Sequence, residues 1–196
     1  MTFKQVLSYF LTGAAVLSVT TTALAADVPA DVRASVWYHP AVEYVLENGL
    51  MDTASQDAFA PDDPVTRRQA ADAICRGAKR RGQGQALPVT DAAQVVNLLT
   101  GAADGAVTRE ELAVLLAWYD RLLRSGETAP IGRWDDADRE LRSFTDYDAV
   151  SAWARDSITL CLADDLLHGN VDGSFGPQEP VTRAELAQVL YNVAHR

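Results

Sequence analysis

Val42, Val45, Leu46 and Leu50 recur at i, i+3, i+4 and i+8, and Ile158, Cys161, Leu162 and Leu166 repeat that spacing. Such spacing lines up one face of an α-helix, so it predicts an amphipathic helix at each place. Pro40 is costly inside a helix but welcome in its first turn, which starts the earlier helix near His39, after Trp37. Asn48 and Gly49 suit its end. A second apolar pattern opens with Val-Thr-Arg at Val65, Val107 and Val181 and continues as VTRRQAADAI, VTREELAVLL and VTRAELAQVL. Thr66 with Gln69, Thr108 with Glu111 and Thr182 with Glu185 each form T-x-x-[EQ], the capping box of a helix N-terminus. Val107 with Leu112 and Val181 with Leu186 stand where a hydrophobic staple would.

Self-similarity organises these helices. Trp37 and Trp153, Phe59 and Phe175, Pro61 and Pro177, Pro64 and Pro180, Thr66 and Thr182, and Arg67 and Arg183 all pair at one offset, with no gap required. A worn copy lies between, with Val95, Leu98 and Leu99 as its first apolar face, but without the Trp, the Phe-x-Pro and most of the loop. The expected organisation is residues 26–82 for repeat 1, 83–125 for a degenerate repeat 2, a polar linker over 126–142, and 143–196 for repeat 3. Each repeat reads helix, loop, helix, and the fold class expected is all-α.

The threonines are explained by capping, but the arginines after them are not. A helix N-terminus carries about half a positive charge, so a cation in the first turn is disfavoured by roughly 0.3–1 kcal/mol when exposed. Arg67, Arg109 and Arg183 all sit there. Either an anionic ligand shares the site, bound by bare amide hydrogens and guanidinium together, or an internal ion pair forms with Asp62, Asp63, Asp104 or Glu179.

Residues 1–25 have an apolar stretch after Lys4 and end in Ala23-Leu24-Ala25, which reads as a secretory signal peptide. Its core is short for a span and no basic stop-transfer flank follows, so no membrane span is expected after cleavage. Cleavage takes the formal charge from −10 to −11. An acidic exported chain is a poor partner for nucleic acid, which needs a basic face. Cys75 and Cys161 occupy core slots of the helical pattern, where a cysteine acts as a small hydrophobe, with a disulfide as the alternative.

Two other functions leave weaker traces. HGNVDGSFGPQE partly fits a calcium loop at Asn170, Asp172, Gly173 and Glu179, but His168 stands where the first carboxylate belongs, so no metal and no cofactor are expected. His39, His168 and His195 show no catalytic spacing, and Asp135, Asp136 and Asp138 read as a solvated loop rather than glycosidase carboxylates, so the chain is not expected to be an enzyme. Arg76, Lys79, Arg80 and Arg81 suit a helix C-terminus. Trp118 is expected in the core, and Trp134 has no counterpart in the other repeats.

The stretch from Ser143 to Leu190 resembles a complete repeat of the S-layer homology family: Phe144 and Asp146 open it, Trp153-Ala154 and Gly169 follow, and Asp172-Gly173-x-Phe175-x-Pro177 precedes Thr182-Arg183-Ala184-Glu185. The region from Asp27 to Ile74 is similar, and the middle copy matches mainly in its second helix. The resemblance implies three repeats in a pseudo-threefold arrangement with grooves between neighbours. It also implies non-covalent anchoring of a secreted protein to the cell wall or S-layer through anionic, often pyruvylated, secondary cell-wall polysaccharide. By the same resemblance Arg67, Arg183 and, with a groove in doubt, Arg109 contact the acidic sugar. Trp153, Trp37, Asp146, Asp27 and Gly169 shape the grooves, and Thr66, Thr108 and Thr182 cap the helices. Departures include Arg68-Gln69 in repeat 1 and the lost loop in the middle. The repeats run to Arg196, which reads as an anchor without cargo, docked to polysaccharide or to another envelope protein; a calcium-dependent docking module or, less so, a wall-glycan hydrolase is the alternative. On this reading Arg183→Ala removes most of the binding and leaves folding intact.

Overall fold

The computed structural model describes residues 28–81, 95–97, 99, 101–124 and 131–195. The stretch read as a signal peptide, Asp27, the first part of repeat 2 and the start of the linker lie outside them. The described residues are all-α: six α-helices and one short 3-10 turn, joined by loops that pair only through isolated bridges.

Helix α1, His39–Glu47, begins at the Pro40 turn and ends where Asn48 caps it and Gly49 takes the left-handed conformation at φ 61°. Helix α2, Arg67–Arg81, follows the long loop of repeat 1. Helix α3, Arg109–Arg124, is the second helix of the middle repeat. Helix α4, Ile131–Ser143, occupies most of the stretch read as a polar linker. Asp135, Asp136, Arg139, Glu140 and Arg142 face solvent while Ala137 and Leu141 are buried, an i, i+4 stripe that seats it against the next helix. The 3-10 turn Tyr147–Ala149 leads into α5, Arg155–Ala163, and α6, Arg183–Ala194, closes the repeat series.

Packing runs across the repeats. The first helix of repeat 1, α1, lies on the last helix of repeat 3, α6, and the first helix of repeat 3, α5, lies on the middle repeat's α3. Helix α2 touches both α3 and α6. One continuous core results, with Phe59, Phe175, Ile74, Leu115, Leu141 and Ile158 fully buried. Both cysteines belong to it, and the Cys161 thiol donates to the Ala113 carbonyl at 3.5 Å.

At the centre the three Val-Thr-Arg segments close a ring. The Val65 amide donates to the Val181 carbonyl at 2.8 Å, Val181 to Val107 at 3.0 Å, and Val107 to Val65 at 2.9 Å. All three valines are fully buried. Buried backbone polar groups must be paired, and three short segments, each too brief to form a sheet, satisfy that demand by pairing in a circle.

Candidate functional site

All three capping boxes are present as hydrogen bonds. The Thr182 side chain accepts from the Glu185 amide while Glu185 accepts from the Thr182 amide at 2.8 Å. The Thr66–Gln69 and Thr108–Glu111 pairs do the same, with return bonds of 2.9 and 3.0 Å. The two amides preceding each capped one are also taken. Arg67 and Arg68 donate to the Gly105 and Ala103 carbonyls of repeat 2, Arg109 and Glu110 to Glu179 and Pro177 of repeat 3, and Arg183 and Ala184 to Asp63 and Pro61 of repeat 1. The bare amide hydrogens expected from the sequence are therefore absent at these positions. Each helix N-terminus is filled by the loop of the next repeat, whose carbonyl oxygens supply the negative pole that the helix dipole seeks.

The arginines follow the same carbonyls. Arg183 Nε donates to the Phe59 carbonyl at 2.6 Å, its Nη2 to the Asp52 carbonyl, and its guanidinium lies 4.6 Å from the Phe59 ring centroid. Arg109 repeats this one repeat on: Nε to Phe175 O at 2.9 Å, Nη2 to His168 O at 2.7 Å, and 5.1 Å to the Phe175 centroid. Two backbone carbonyls and a ring face thus partner the cation, a combination that neither sequence alternative included. Burial pushes the Arg183 guanidinium down from its ordinary range, opposed by the fields of Asp63, Asp52 and Asp31, yet a guanidinium stays charged in proteins. Arg67 differs. Its Nε bonds Glu111 Oε1 at 2.8 Å, and the shortened loop lies so close that a Cβ on Gly101 or Gly105 would collide with the guanidinium.

Asp146 holds the long loop of repeat 3 by accepting from the Phe175 and Gly176 amides, each at 2.8 Å. In repeat 1 the equivalent carboxylate is Asp31, accepting from Phe59 and Ala60 at 3.0 and 2.7 Å. Asp27, the residue suggested for this role, lies outside the described residues. The signal for Asp31 was available: Asp31 precedes Trp37 by one residue fewer than Asp146 precedes Trp153, a single gap that an ungapped pairing hides. Gly169 packs beneath the Phe144 ring, where a Cβ would clash. Glu110, also unanticipated, is 3% exposed and accepts from the Ser151 amide, the Ser151 hydroxyl and Gln178, tying α3 to repeat 3.

Among the described residues two clefts open beside the arginines, and most of their lining positions correspond at the repeat offset. One, of about 250 Å³, is floored by Arg183 and lined by Asp52, Asp63, Gln69, Asp72 and Arg76 among others. The other, of about 190 Å³, is floored by Arg109 and lined by His168, Asn170, Glu185, Gln188 and Asn192, with Trp37 at its rim. The groove over Arg109, doubtful from the sequence, is thus present. At Arg67 the shortened loop lies against the guanidinium, whose side chain is 15% exposed. Trp37 is 63% exposed and Trp153 46%. In the Arg183 cleft Arg76 binds Asp52 through two nitrogens, at 3.1 and 3.0 Å, and this pairing holds the Asp52 carboxyl below its usual range. In the Arg109 cleft the guanidinium Nη1 stands 3.9 Å from Glu185, beyond hydrogen-bond length.

Other expectations can be placed. In the partial calcium loop, Asp172 accepts from the Ser174 amide and hydroxyl, and Asn170 donates to Ser174 and Glu179. Among the described residues no cluster of three or more metal-ligating side chains occurs, and no helix is long and apolar enough to cross a membrane. Trp118 is partly buried against the core. Trp134 sits on α4 and does not line either cleft.

The family model described as S-layer homology domain matches residues 30–71 and 143–187. The chain is 26% identical over 176 residues to an endoglucanase of Bacillus sp. (strain KSM-635), covering 82% of the chain and 18% of that protein. It is 31% identical over 157 residues to the surface-layer 125 kDa protein of Lysinibacillus sphaericus, covering 78% of the chain and 12% of that protein. The chain therefore spans less than a fifth of the length of either relative. With two matched repeats, and with loops, caps and arginines that correspond between them, the chain belongs to the S-layer homology family, whose domains anchor proteins at the cell surface.

Proposed function

We propose that the chain anchors itself to the cell wall by holding an anionic, pyruvate-ketal-bearing wall polysaccharide in the Arg109 cleft, without catalysis. One observation carries this reading. The cleft gathers an exposed indole, three carboxamides and a guanidinium edge in one lining. Indole faces stack on the apolar face of a sugar ring. Carboxamides both donate and accept, which suits hydroxyls and acetamido groups. Nε and Nη2 of Arg109 are spent on Phe175 and His168, and Nη1, whose ion pair with Glu185 is loose at 3.9 Å, is the edge that can take a ligand carboxylate. Asp146 and Gly169 act indirectly, by fixing the loop that carries His168 and Asn170. Arg67 and Arg183 serve chiefly as struts between repeats.

The test is co-sedimentation of the purified chain with cell-wall sacculi before and after chemical removal of the attached polymer. Binding is expected only with polymer present, unaffected by chelators and without release of reducing ends. Trp37→Ala should weaken it about tenfold or more, given the worth of an aromatic contact. Equal binding to stripped sacculi would overturn the proposal.

A further inference from the structure

The two clefts are built from corresponding positions but differ in chemistry, and we infer that only one of them works: the Arg183 cleft is closed to anionic glycan by its own side chains. This rests on the reading of the Arg109 cleft given above. Three of the differences between the linings put an acidic or basic side chain only in the Arg183 cleft, whereas Gln69 answers to Glu185 and Ala54 to Asn170. Asp52 stands where the other cleft has His168, Asp72 where it has Gln188, and Arg76 where it has Asn192. The first and third join in a two-nitrogen ion pair that runs from the loop after α1 to α2, across the lining they share. The pair neutralises the wall guanidinium that an incoming anion would otherwise meet.

Charge acts in the same direction. The Arg183 cleft lines up three carboxylates, Asp52, Asp63 and Asp72, against two guanidiniums, one of them spent on Asp52 and the other on backbone carbonyls. The Arg109 cleft sets one carboxylate, Glu185, against one guanidinium. An anion entering the first cleft meets a net negative lining.

The third reason lies in the order of the repeats. The rim indole of the Arg109 cleft, Trp37, comes from repeat 1, although the loop and helix that form the walls belong to repeat 3 and the floor arginine to repeat 2. In the Arg183 cleft the walls belong to repeat 1 and the floor to repeat 3. The same circular order makes repeat 2 the supplier of its indole, and repeat 2 is the copy without the Trp. One residue lost from the worn repeat therefore leaves a cleft belonging to another repeat without its rim indole.

Calorimetric titration of the full chain with a methyl hexoside carrying a pyruvate ketal tests this. One equivalent should bind, and Trp37→Ala should weaken it about tenfold or more. The triple variant Asp52→His, Asp72→Gln, Arg76→Asn should bind a second equivalent about tenfold more weakly than the first, because its cleft still lacks an indole. Asp52→Asn with Arg76→Gln serves as the milder alternative if the triple variant loses its cooperative melt. Two equivalents bound by the unaltered chain, with one surviving Trp37→Ala, would overturn the inference while sparing the proposed function. No second equivalent in a folded variant would show that these side chains are not what closes the cleft. Absence of binding by the unaltered chain both here and on sacculi would sink the proposed function itself.

Discussion

Arginine in the first turn of a helix looks wrong by the electrostatics of an isolated helix, and the discrepancy dissolves once its partners are named. Arg183 is 7% exposed and ties Phe59 and Asp52 of repeat 1 to the last helix of repeat 3. Removing it leaves two carbonyl oxygens without donors, so Arg183→Ala should destabilise the fold by about 2–4 kcal/mol in urea titration. Sequence reasoning led to the opposite expectation, of loss of binding with folding intact, because no local pattern reveals a carbonyl that lies more than a hundred residues away. A smaller prediction concerns Ala60, whose φ of 54° is left-handed where repeat 3 has Gly176 at 69°. Ala60→Gly should stabilise by roughly 1 kcal/mol, read from the thermal midpoint, since only glycine occupies that region without steric cost.

Helices were the most legible elements, because their apolar period and capping residues are local. The start of α1 at the Pro40 turn, its end near Gly49 and the capped starts of α2, α3 and α6 were all readable. Helix α4 was not: its acidic and basic residues outnumber its apolar ones, and Ala137 with Leu141 make too thin a stripe to stand out from a polar linker. Its seat against α5 supplies what its composition lacks. Leu141 is fully buried, and Leu141→Ala should cost about 2–5 kcal/mol, measured by urea unfolding. An unchanged midpoint would mean that α4 does not rest on the core.

Across the molecule, stability is shared in a circle. Each loop fills the N-terminus of the preceding repeat's second helix, and the last repeat draws on the loop of the first. Linear repeat arrays lose terminal units gracefully because each contacts only its neighbours. A closed ring has no terminal unit. Truncation after residue 142 should therefore abolish the cooperative thermal transition of the remaining repeats, followed by far-UV circular dichroism. A truncated chain that still melts cooperatively would show that repeats 1 and 2 form a self-sufficient pair.

The repeats, the caps, the helices and the membership in a surface-anchoring family all follow from short-range patterns, since helical period and capping chemistry span only a few residues. Which carbonyls each arginine binds, which arginine floors an open cleft, and which acidic residue holds each loop depend on contacts between segments 28 to 131 positions apart. Such contacts are set by the closing of the ring, and a pairwise reading of similar stretches cannot see which repeat supplies the floor, the walls and the indole of a given cleft.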